Sequence, residues 1–442
     1  MTEKQNVTQV VNQKLCNSCG SCFAVCKAKA IEFKETVGGY YFPSIDNEVC
    51  ADCGLCLSVC PGINLAKGLM ERMPDDPFAG EALKAFVGKA TDKKIYENSQ
   101  SGGIVSALLV HSLETGLADA TVTVHMNWDN PPRPRAILAK SINEVIMAQK
   151  SKYCPVPVLS ILRDVLISEQ KIIFVGTSCQ VHGLLNIMEK IPKLRTQIVL
   201  IIGLVCERVM TYAALDFLIY RARLSNNNDK KLLQFRDKSC GGYPGNVHIQ
   251  TINGKSIILP YKLRMRIKDL FTPACCRICF DKMNIFSDIT VGDPWGISNV
   301  DRSKGESIAV IRTSRGFGVF LQALENNKIL ARELSYENIL AGQNIETKRK
   351  EWHGFSDAWM RLGYHLPDYY RRVQRETKNY EAGLYLDKIK YSLSLDEHPT
   401  REELLRFSNN QLLKQNLRRL YLLPFSYAKR FIYKAYNKIL KR

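Results

Sequence analysis

The sequence predicts a cysteine-rich α+β domain at the N-terminus, a larger α/β domain after it and a helical, basic C-terminal region. Three observations predict this architecture. Eight of the 15 cysteines lie within residues 16–60, buried strands flank a helical pattern over residues 171–205, and basic residues dominate residues 401–442. The 442 residues are 45% hydrophobic and 24% charged, an ordinary globular balance with room for about two or three domains.

Two copies of one cysteine spacing define the predicted first domain, residues 1–66. The spacing C-x2-C-x2-C-x3-C begins at Cys16 and again at Cys50, and a proline follows the second copy. In each run, three thiolates surround one iron–sulfur cube and the fourth serves the other cluster. The sequence therefore predicts two [4Fe–4S] clusters in a ferredoxin-like α+β fold. The predicted ligands are Cys16, Cys19, Cys22 and Cys60 for one cluster and Cys50, Cys53, Cys56 and Cys26 for the other.

The alternative for these cysteines is a pair of zinc sites, which usually present two C-x2-C halves separated by a longer loop. Residues 12–65 resemble the bacterial two-cluster ferredoxins, with Lys27 in place of the proline after the first run. Since that proline ligates nothing, its replacement leaves the predicted ligands unchanged. The N-terminus has no apolar signal segment, so the cysteines favour metal or redox chemistry in a reducing compartment over a disulfide scaffold.

The next part of the chain is predicted as a polar linker, residues 67–82, and a module over residues 83–160. In this module the sequence S-Q-S-G-G at residues 99–103 precedes a helix predicted over residues 104–113. Free N–H groups at the beginning of a helix can bind phosphate or flavin oxygens, although simple N-capping explains the same residues. The sequence S-K-Y at residues 151–153 adds a cation and an aromatic ring near a turn.

A strand–helix–strand unit is predicted within the following module, residues 161–350. Residues 171–176 and 198–205 read as buried strands, which should be parallel because a helix joins them. Cys179 and Cys206 then lie just beyond the C-terminal ends of the two strands, where open α/β sheets bind ligands.

A C-x2-C pair supplies two further thiols before a third short strand, predicted over residues 288–291. Four thiols that converge from separate segments predict a third [4Fe–4S] cluster. Its predicted ligands are Cys179, Cys206, Cys276 and Cys279. The alternatives are four buried thiols, a structural zinc site, or ligation by Cys275 in place of Cys276.

Six short pieces of sequence carry a family resemblance. The chain resembles the beta subunits of coenzyme F-420 hydrogenases and dehydrogenases, a family that includes a plant chlorophyll-derivative reductase. The pieces are S-x-S-G-G at 99–103, S-K-Y at 151–153, V-G-T-S-C-Q at 175–180, G-L-V-C at 203–206, C-x-x-C at 276–279 and D-I-T-V-G-D-P-W-G at 288–296. The resemblance implies an FAD site that exchanges electrons with iron–sulfur clusters and a substrate. It places Ser101, Gly102, Gly103, Ser151, Lys152 and Tyr153 in the flavin and substrate region.

The sequence departs from the family pattern in three places, and the change after Cys206 lies near the predicted redox centre. Ser178 replaces a proline, Glu207-Arg208 replaces a common His-Gly pair, and Pro294 replaces an aromatic residue. The substrate is therefore not carried over from the family.

The net charge of +19 predicts an acidic partner, such as a ferredoxin-like redox carrier or a partner subunit. Within the predicted helical region, residues 351–442, eleven basic and two acidic residues fall in 401–442. A basic amphipathic helix over residues 415–442 suits an anionic membrane surface, and the alternative is packing on its own enzyme. Apolar runs are too short to span a membrane, so we expect a cytoplasmic protein, with or without peripheral contact at the inner membrane face.

The sequence supports three hypotheses for function. The first is a flavin-dependent iron–sulfur oxidoreductase that reduces a small organic substrate or coenzyme, with a surface-polysaccharide precursor as one candidate. The second is an electron-transfer subunit of a larger complex with no substrate of its own. The third is a nucleic-acid-binding protein, which is not expected because the basic residues concentrate in a terminal region without a nucleic-acid motif. A flavin module favours the enzyme, since a carrier needs only the N-terminal domain.

Overall fold

The computed structural model describes residues 5–127, 131–224, 230–373 and 382–421. Within these ranges the strands form a two-stranded, a three-stranded and an eight-stranded sheet. The strands are β1 (Ile31–Glu35), β2 (Tyr41–Ile45), β3 (Lys84–Ala90), β4 (Ala120–Asn127), β5 (Arg133–Ala139), β6 (Ile172–Gly176), β7 (Ile198–Leu204), β8 (Lys230–Asp237), β9 (Asn246–Thr251), β10 (Ser256–Leu259), β11 (Ile289–Gly292), β12 (Ser307–Ile311) and β13 (Ile329–Glu333).

Helices connect and cover these sheets. They are α1 (Thr8–Asn12), α2 (Ser21–Val25), α3 (Leu55–Ser58), α4 (Lys67–Glu71), α5 (Lys93–Asn98), α6 (Ile104–Glu114), α7 (Ile142–Met147), α8 (Leu162–Leu166), α9 (Ser178–Lys190), α10 (Lys193–Gln197), α11 (Tyr212–Arg221), α12 (Tyr261–Leu270), α13 (Ala274–Arg277), α14 (Ser314–Glu325), α15 (Tyr336–Gly342), α16 (Ile345–Arg361), α17 (Ala382–Leu393) and α18 (Arg401–Tyr421). Short 3-10 helices cover Val158–Ile161, Asp368–Arg372 and Ser394–Glu397.

The large sheet has the strand order β13-β3-β12-β11-β7-β6-β4-β5. Its centre is parallel, since β7 pairs in parallel with both β6 and β11, and β6 pairs in parallel with β4. The prediction of adjacent parallel strands before Cys179 and Cys206 is therefore confirmed. The outer strands β5, β12, β3 and β13 pair antiparallel, which makes the domain a mixed α/β domain.

Both faces of the large sheet are covered, which explains why its central strands are apolar at successive positions. On β6, Ile172 and Phe174 pack with Val181 of α9, whereas Ile173 packs on the opposite face with Leu108 of α6. The sheet edge at the C-terminal ends of β6, β7 and β11 is left for loops.

The N-terminal domain packs directly on the large domain. Its hairpin β1–β2 is antiparallel, and its helices α2 and α3 contact each other. Val25 and Val59 share a core with Val181 of α9. Residues 67–82, which the sequence predicts as a linker, include α4 and the buried ring of Phe78.

The C-terminal helices also contribute to the core. Trp352 and Trp359 of α16 are fully buried, and the Trp352 indole N–H donates to the carbonyl of Ile278, 2.7 Å away. On α18, the buried residue Leu404 packs in the same core as Phe217 of α11. The predicted amphipathic helix over residues 415–442 lies mostly outside the described residues, which end at Tyr421. No helix within the described ranges is long and apolar enough to cross a membrane.

Candidate functional site: three groups of thiols and a basic sheet edge

The first group of predicted ligands is buried where the N-terminal domain meets the large domain. Cys16, Cys19, Cys22 and Cys60 are all buried. Burial raises the pKa of the Cys22 thiol, and the nearby thiols of Cys19, Cys16 and Cys60 raise it further. The structure therefore brings together the four thiols that the sequence assigns to one cluster.

Local backbone geometry shapes this first group. Gly20 has a φ of 93°, and a Cβ at this position would lie 2.8 Å from the Pro157 carbonyl oxygen, so a side chain would clash with the neighbouring domain. The Ser18 N–H points to the Cys16 sulfur at 3.5 Å, and the Ser21 hydroxyl lies 3.3 Å from the Cys19 sulfur. Such contacts to sulfur tune the potential of a bound cluster.

The second group lies nearer the surface. Cys53 is exposed, while Cys26, Cys50 and Cys56 are partly buried. The pKa of the Cys56 thiol is raised by burial, and the nearby thiols of Cys53 and Cys50 add to the effect. Cys26 follows α2, which contacts the helix α3 that carries Cys56.

The third group is assembled from three separate segments at the edge of the large sheet. Cys179 begins α9 after β6, Cys206 follows β7, and Cys276 and Cys279 lie on α13 and the turn after it. Burial raises the pKa of the Cys206 thiol, and the nearby Cys276 and Cys279 thiols raise it further. Burial also raises the pKa of the Cys179 thiol, and the Cys279 and Cys206 thiols add to this effect. The four thiols therefore lie near one another.

Cys275 lies between the first and third groups. Its sulfur is 3.2 Å from the carbonyl oxygen of Cys16, and its neighbour Cys276 belongs to the third group. A hydrogen bond from Cys275 lowers the pKa of the Cys276 thiol to about 7. Both cysteines thus reach the third group, and the choice between them as ligand stays a prediction.

The first and third groups approach each other across α9. Burial is the main cause of the raised pKa of Cys179, and the nearby Cys19 thiol raises it further. A Cβ at Gly183, one turn after Cys179, would lie 3.5 Å from the Cys19 sulfur and 2.7 Å from Leu159. A side chain at this position would therefore clash with Leu159, whereas the Cys19 sulfur lies at ordinary contact distance from α9.

Basic side chains surround the third group. Lys348 and Lys268 lower the pKa of Cys206 against the opposing effect of its burial, and Lys348 acts in the same way on Cys279. Next to Cys206, the Glu207 carboxylate pairs with Lys282 at 3.2 Å and with Arg208 at 3.0 Å. Four thiolates around a cluster leave a net negative charge, so these cations suit the donor set.

The loop S-x-S-G-G is held in place by hydrogen bonds to residues outside it. The Gly102 N–H donates to the Ser307 hydroxyl at 2.9 Å, so this N–H is not available to a ligand. A Cβ at Gly102 would lie 2.4 Å from the Gly88 carbonyl oxygen, and Gly103 caps α6 with a φ of 79°. The Lys238 ammonium group donates to the carbonyl oxygen of Ser101 at 2.9 Å.

The segment S-K-Y lies beside this loop. The Ser151 N–H donates to the Gln100 side-chain oxygen at 3.0 Å, and the Gln100 amide lies 3.4 Å from the Tyr153 hydroxyl. The Lys152 ammonium group donates to the carbonyl oxygens of Ala148 and Gln149, at 2.5 and 2.8 Å. Burial lowers the pKa of Lys152 to about 7, and the charge of Lys150 adds to this effect. The structure therefore brings the two predicted flavin segments together.

A cleft of about 490 Å³ opens beside the S-K-Y segment. Its volume lies within the usual range for small-molecule sites. It is lined by Ser151 and Lys152 together with Lys150, Asn98 and Gln149. Three lysines in the lining, Lys94, Lys150 and Lys152, suit an anionic ligand. The other residues predicted for the flavin region do not line this cleft: Ser101, Gly102, Gly103 and Tyr153.

A cluster of side chains next to Tyr153 was not predicted from the sequence. Arg236 is 1% exposed and donates to the Tyr153 hydroxyl at 3.1 Å and to the Asp293 carboxylate at 2.5 and 3.2 Å. The Tyr243 ring lies beneath the Arg236 guanidinium, and the Arg264 guanidinium lies 5.1 Å from the Tyr153 ring centre. Arg236, Tyr243 and Arg264 show no motif spacing, so no sequence signal could have grouped them.

Comparison with known protein families gives three matches along the chain. Residues 15–62 match the 4Fe-4S dicluster domain. Residues 85–163 and 169–337 match the N-terminal and C-terminal parts of the coenzyme F420 hydrogenase/dehydrogenase beta subunit. These last two matches together span more than half of the chain.

Curated proteins with similar sequences agree with these matches. One subunit of the F(420)H(2) dehydrogenase of Methanosarcina mazei is 28% identical over 359 residues, which are 78% of this chain and 92% of that protein. The beta subunit of the coenzyme F420 hydrogenase of Methanosarcina barkeri is 25% identical over 300 residues, 63% of this chain and 96% of that protein.

A solved structure shares the fold. A chain of the F420-reducing [NiFe] hydrogenase complex from Methanosarcina barkeri superposes over its full length and 67% of this chain, with a TM-score of 0.50 and 21% identity. The fold and the thiol groups define an iron–sulfur oxidoreductase with an N-terminal dicluster ferredoxin domain and a mixed α/β domain. The chain belongs to the coenzyme F420 hydrogenase/dehydrogenase beta-subunit family.

Proposed function

We propose that this protein is an FAD-dependent iron–sulfur oxidoreductase that passes electrons through three [4Fe–4S] clusters to a small organic substrate or coenzyme. The three thiol groups would hold the clusters. Ser101, Gly102 and Gly103, together with Ser151, Lys152 and Tyr153, would form the flavin and substrate region. A precursor of surface polysaccharide is one candidate substrate class.

The observation that carries this proposal is the order of the sites. The second thiol group includes the exposed Cys53, the first group is buried, and Cys19 of the first group lies near Cys179 of the third. After Cys206, the Met210 N–H donates to the Tyr153 carbonyl oxygen at 2.9 Å, which ties the third group to the S-K-Y segment. The sites therefore form one series from the surface to the cleft.

Flavin would supply the conversion between single-electron transfer and the two-electron chemistry of an organic substrate. The chain itself supplies binding and protonation. Lys152 lies on the cleft wall, and its pKa of about 7 lets its ammonium group hold or release a proton at neutral pH. Arg236 donates to the Tyr153 hydroxyl and is itself held by the Asp293 carboxylate.

The test is the flavin content of the protein purified without oxygen. Acid extraction should release about one FAD per chain, alongside iron from the clusters. If the iron is retained and no flavin is released or taken up from added FAD, the enzyme proposal is wrong.

The second candidate function is an electron-transfer subunit that has no substrate of its own. It is favoured by the relatives whose names make them subunits of a hydrogenase and of a dehydrogenase. In that case an acidic redox carrier protein or a partner subunit would exchange electrons with the chain. Turnover of small molecules by the isolated, flavin-loaded protein would distinguish the enzyme from the subunit.

A further inference from the structure

The side chain of Arg264 is a buried cation that lies over the Tyr153 ring but has no anionic partner among the described residues. It lies in the middle of α12 and is 5% exposed. Its Nε atom has no hydrogen-bond acceptor, and among the described residues no carboxylate lies within ion-pair distance of its guanidinium. A buried charge without a partner costs several kcal/mol, so proteins normally pair or hydrogen-bond it.

Other buried or partly buried arginines among the described residues show what is missing at this position. Arg236 forms a two-point contact with Asp293, Arg133 pairs with Asp216 at 2.9 Å, and Arg208 pairs with Asp269 at 3.1 Å. Arg277 is held by the Ser392 hydroxyl at 2.7 Å and by the carbonyl oxygen of Asp269. Arg264 therefore departs from a rule that this chain otherwise follows.

Arg264 and Lys268 lie one turn apart on α12 and have different charged neighbours. Burial lowers the pKa of Lys268, whereas the nearby Glu207 and Cys206 raise it. Lys268 therefore lies near the third thiol group. The pKa of Arg264 is lowered mainly by burial, and the other groups that affect it are Tyr153, Arg236, Asp293 and Tyr243. The main charged neighbours of Arg264 are therefore the groups around Tyr153, whereas those of Lys268 include Glu207 and Cys206.

The charges around Tyr153 do not balance. Two guanidinium groups, those of Arg236 and Arg264, share the single carboxylate of Asp293, and that carboxylate is bound by Arg236. An oxyanion with several acceptor oxygens would neutralise the remaining charge and accept from the N–H groups of Arg264.

We propose that Arg264 is the anchor of an oxyanion subsite beside Tyr153, which binds a phosphate or carboxylate group of a ligand. The inference rests on the proposed function for the identity of that ligand. The oxyanion belongs either to the flavin nucleotide or to the substrate. In both cases it gives the substrate or cofactor a fixed orientation relative to the Tyr153 ring.

The experiment compares wild-type protein with Arg264→Gln, Arg264→Lys and Lys262→Gln. Lys262 is exposed on the same helix, so its substitution removes an equal charge without touching the subsite. All proteins are purified without oxygen as full chains with their clusters. Iron content and circular dichroism show whether each variant is folded.

The first arm measures the flavin. If the oxyanion is a flavin phosphate, Arg264→Gln weakens the retention of FAD about 10- to 100-fold, the usual loss for a charge-assisted hydrogen bond. Riboflavin, which lacks the phosphate, should then bind equally to wild type and variant. Arg264→Lys should recover part of the FAD affinity.

The second arm measures a free oxyanion. If the site belongs to the substrate, FAD retention is unchanged, and inorganic pyrophosphate titrated calorimetrically into the FAD-loaded protein binds about 10- to 100-fold more weakly to Arg264→Gln than to Lys262→Gln. If folded Arg264→Gln matches the Lys262→Gln control in both arms, the subsite does not exist. A wild type that holds no FAD but binds pyrophosphate through Arg264 would refute the proposed function and leave this inference standing.

Discussion

The N-terminal thiols and the sheet-edge thiols are built in opposite ways. The predicted N-terminal ligands come from two compact runs, and after burial the main groups that raise the pKa of Cys22 are other cysteines. The predicted sheet-edge ligands come from three distant segments, and the lysines Lys268 and Lys348 lower the pKa of Cys206 against the effect of its burial. A compact run sets its own geometry, whereas an assembled site depends on the fold and takes its electrostatics from helices far along the chain.

The difference has a consequence for the direction of electron transfer. Nearby positive charge favours the reduced, more negative form of a cluster, so it raises the reduction potential. The sheet-edge cluster should therefore have a higher potential than the buried N-terminal cluster. Electrons that enter near the exposed Cys53 would move toward the sheet edge.

The largest expected effect comes from breaking the assembled site itself. Cys206→Ser should lower the iron content from about twelve to about eight atoms per chain, because a cube missing one of four thiolates is lost. Cys154→Ser is the matched control, since Cys154 is also a buried cysteine but lies outside the three groups. Iron analysis and low-temperature EPR measure the result, and an unchanged iron content in Cys206→Ser would disprove the third cluster.

Iron analysis also decides whether Cys275 or Cys276 is the ligand. Cys276→Ser should lose about four irons and Cys275→Ser none, because Cys276 and not Cys275 is the neighbour that affects Cys206. The reverse result would make Cys275 the ligand.

The same two regions differ in how much of them could be predicted from the sequence. The N-terminal domain could be predicted because its ligand spacing is local, and β6 and β7 could be predicted because short apolar runs end at Cys179 and Cys206. Helix α6 was predicted over residues 104–113 and is observed over Ile104–Glu114. These features depend on residues that are close together in the chain.

The basic side chains of the sheet edge could not be predicted, because they are brought together only by folding. Lys268 comes from α12, Lys348 from α16 and Arg236 from β8. Their burial has no signature in composition, and the sequence suggested instead that the positive charge concentrates in the C-terminal region. The structure shows that part of the net charge lies around the candidate site.

An intermediate effect should follow from removing the cations that distinguish the two regions. Lys268→Met combined with Lys348→Met should lower the potential of the sheet-edge cluster by tens of millivolts, since loss of nearby positive charge disfavours the reduced form. The N-terminal clusters should change less. An EPR-monitored redox titration measures both, with Lys262→Met as the exposed control on α12. An upward shift, or a shift equal to that of the control, would contradict the electrostatic difference between the regions.

The smallest expected effect concerns the lysine on the cleft wall, Lys152. Its ordinary pKa of 10.5 falls to about 7 in the folded protein because of burial. Between these two values the unfolded chain binds more protons than the folded one, so the contribution of Lys152 to stability rises with pH from about 7 to about 10. The wild type should therefore gain about 2–4 °C in thermal midpoint relative to Lys152→Met between pH 7 and pH 9, measured by circular dichroism without oxygen. Lys140→Met, which changes an exposed lysine, should follow the wild type across this range. If Lys152→Met and the wild type show parallel pH profiles, Lys152 keeps its ordinary pKa, and the cleft wall is no more costly to a cation than the protein surface.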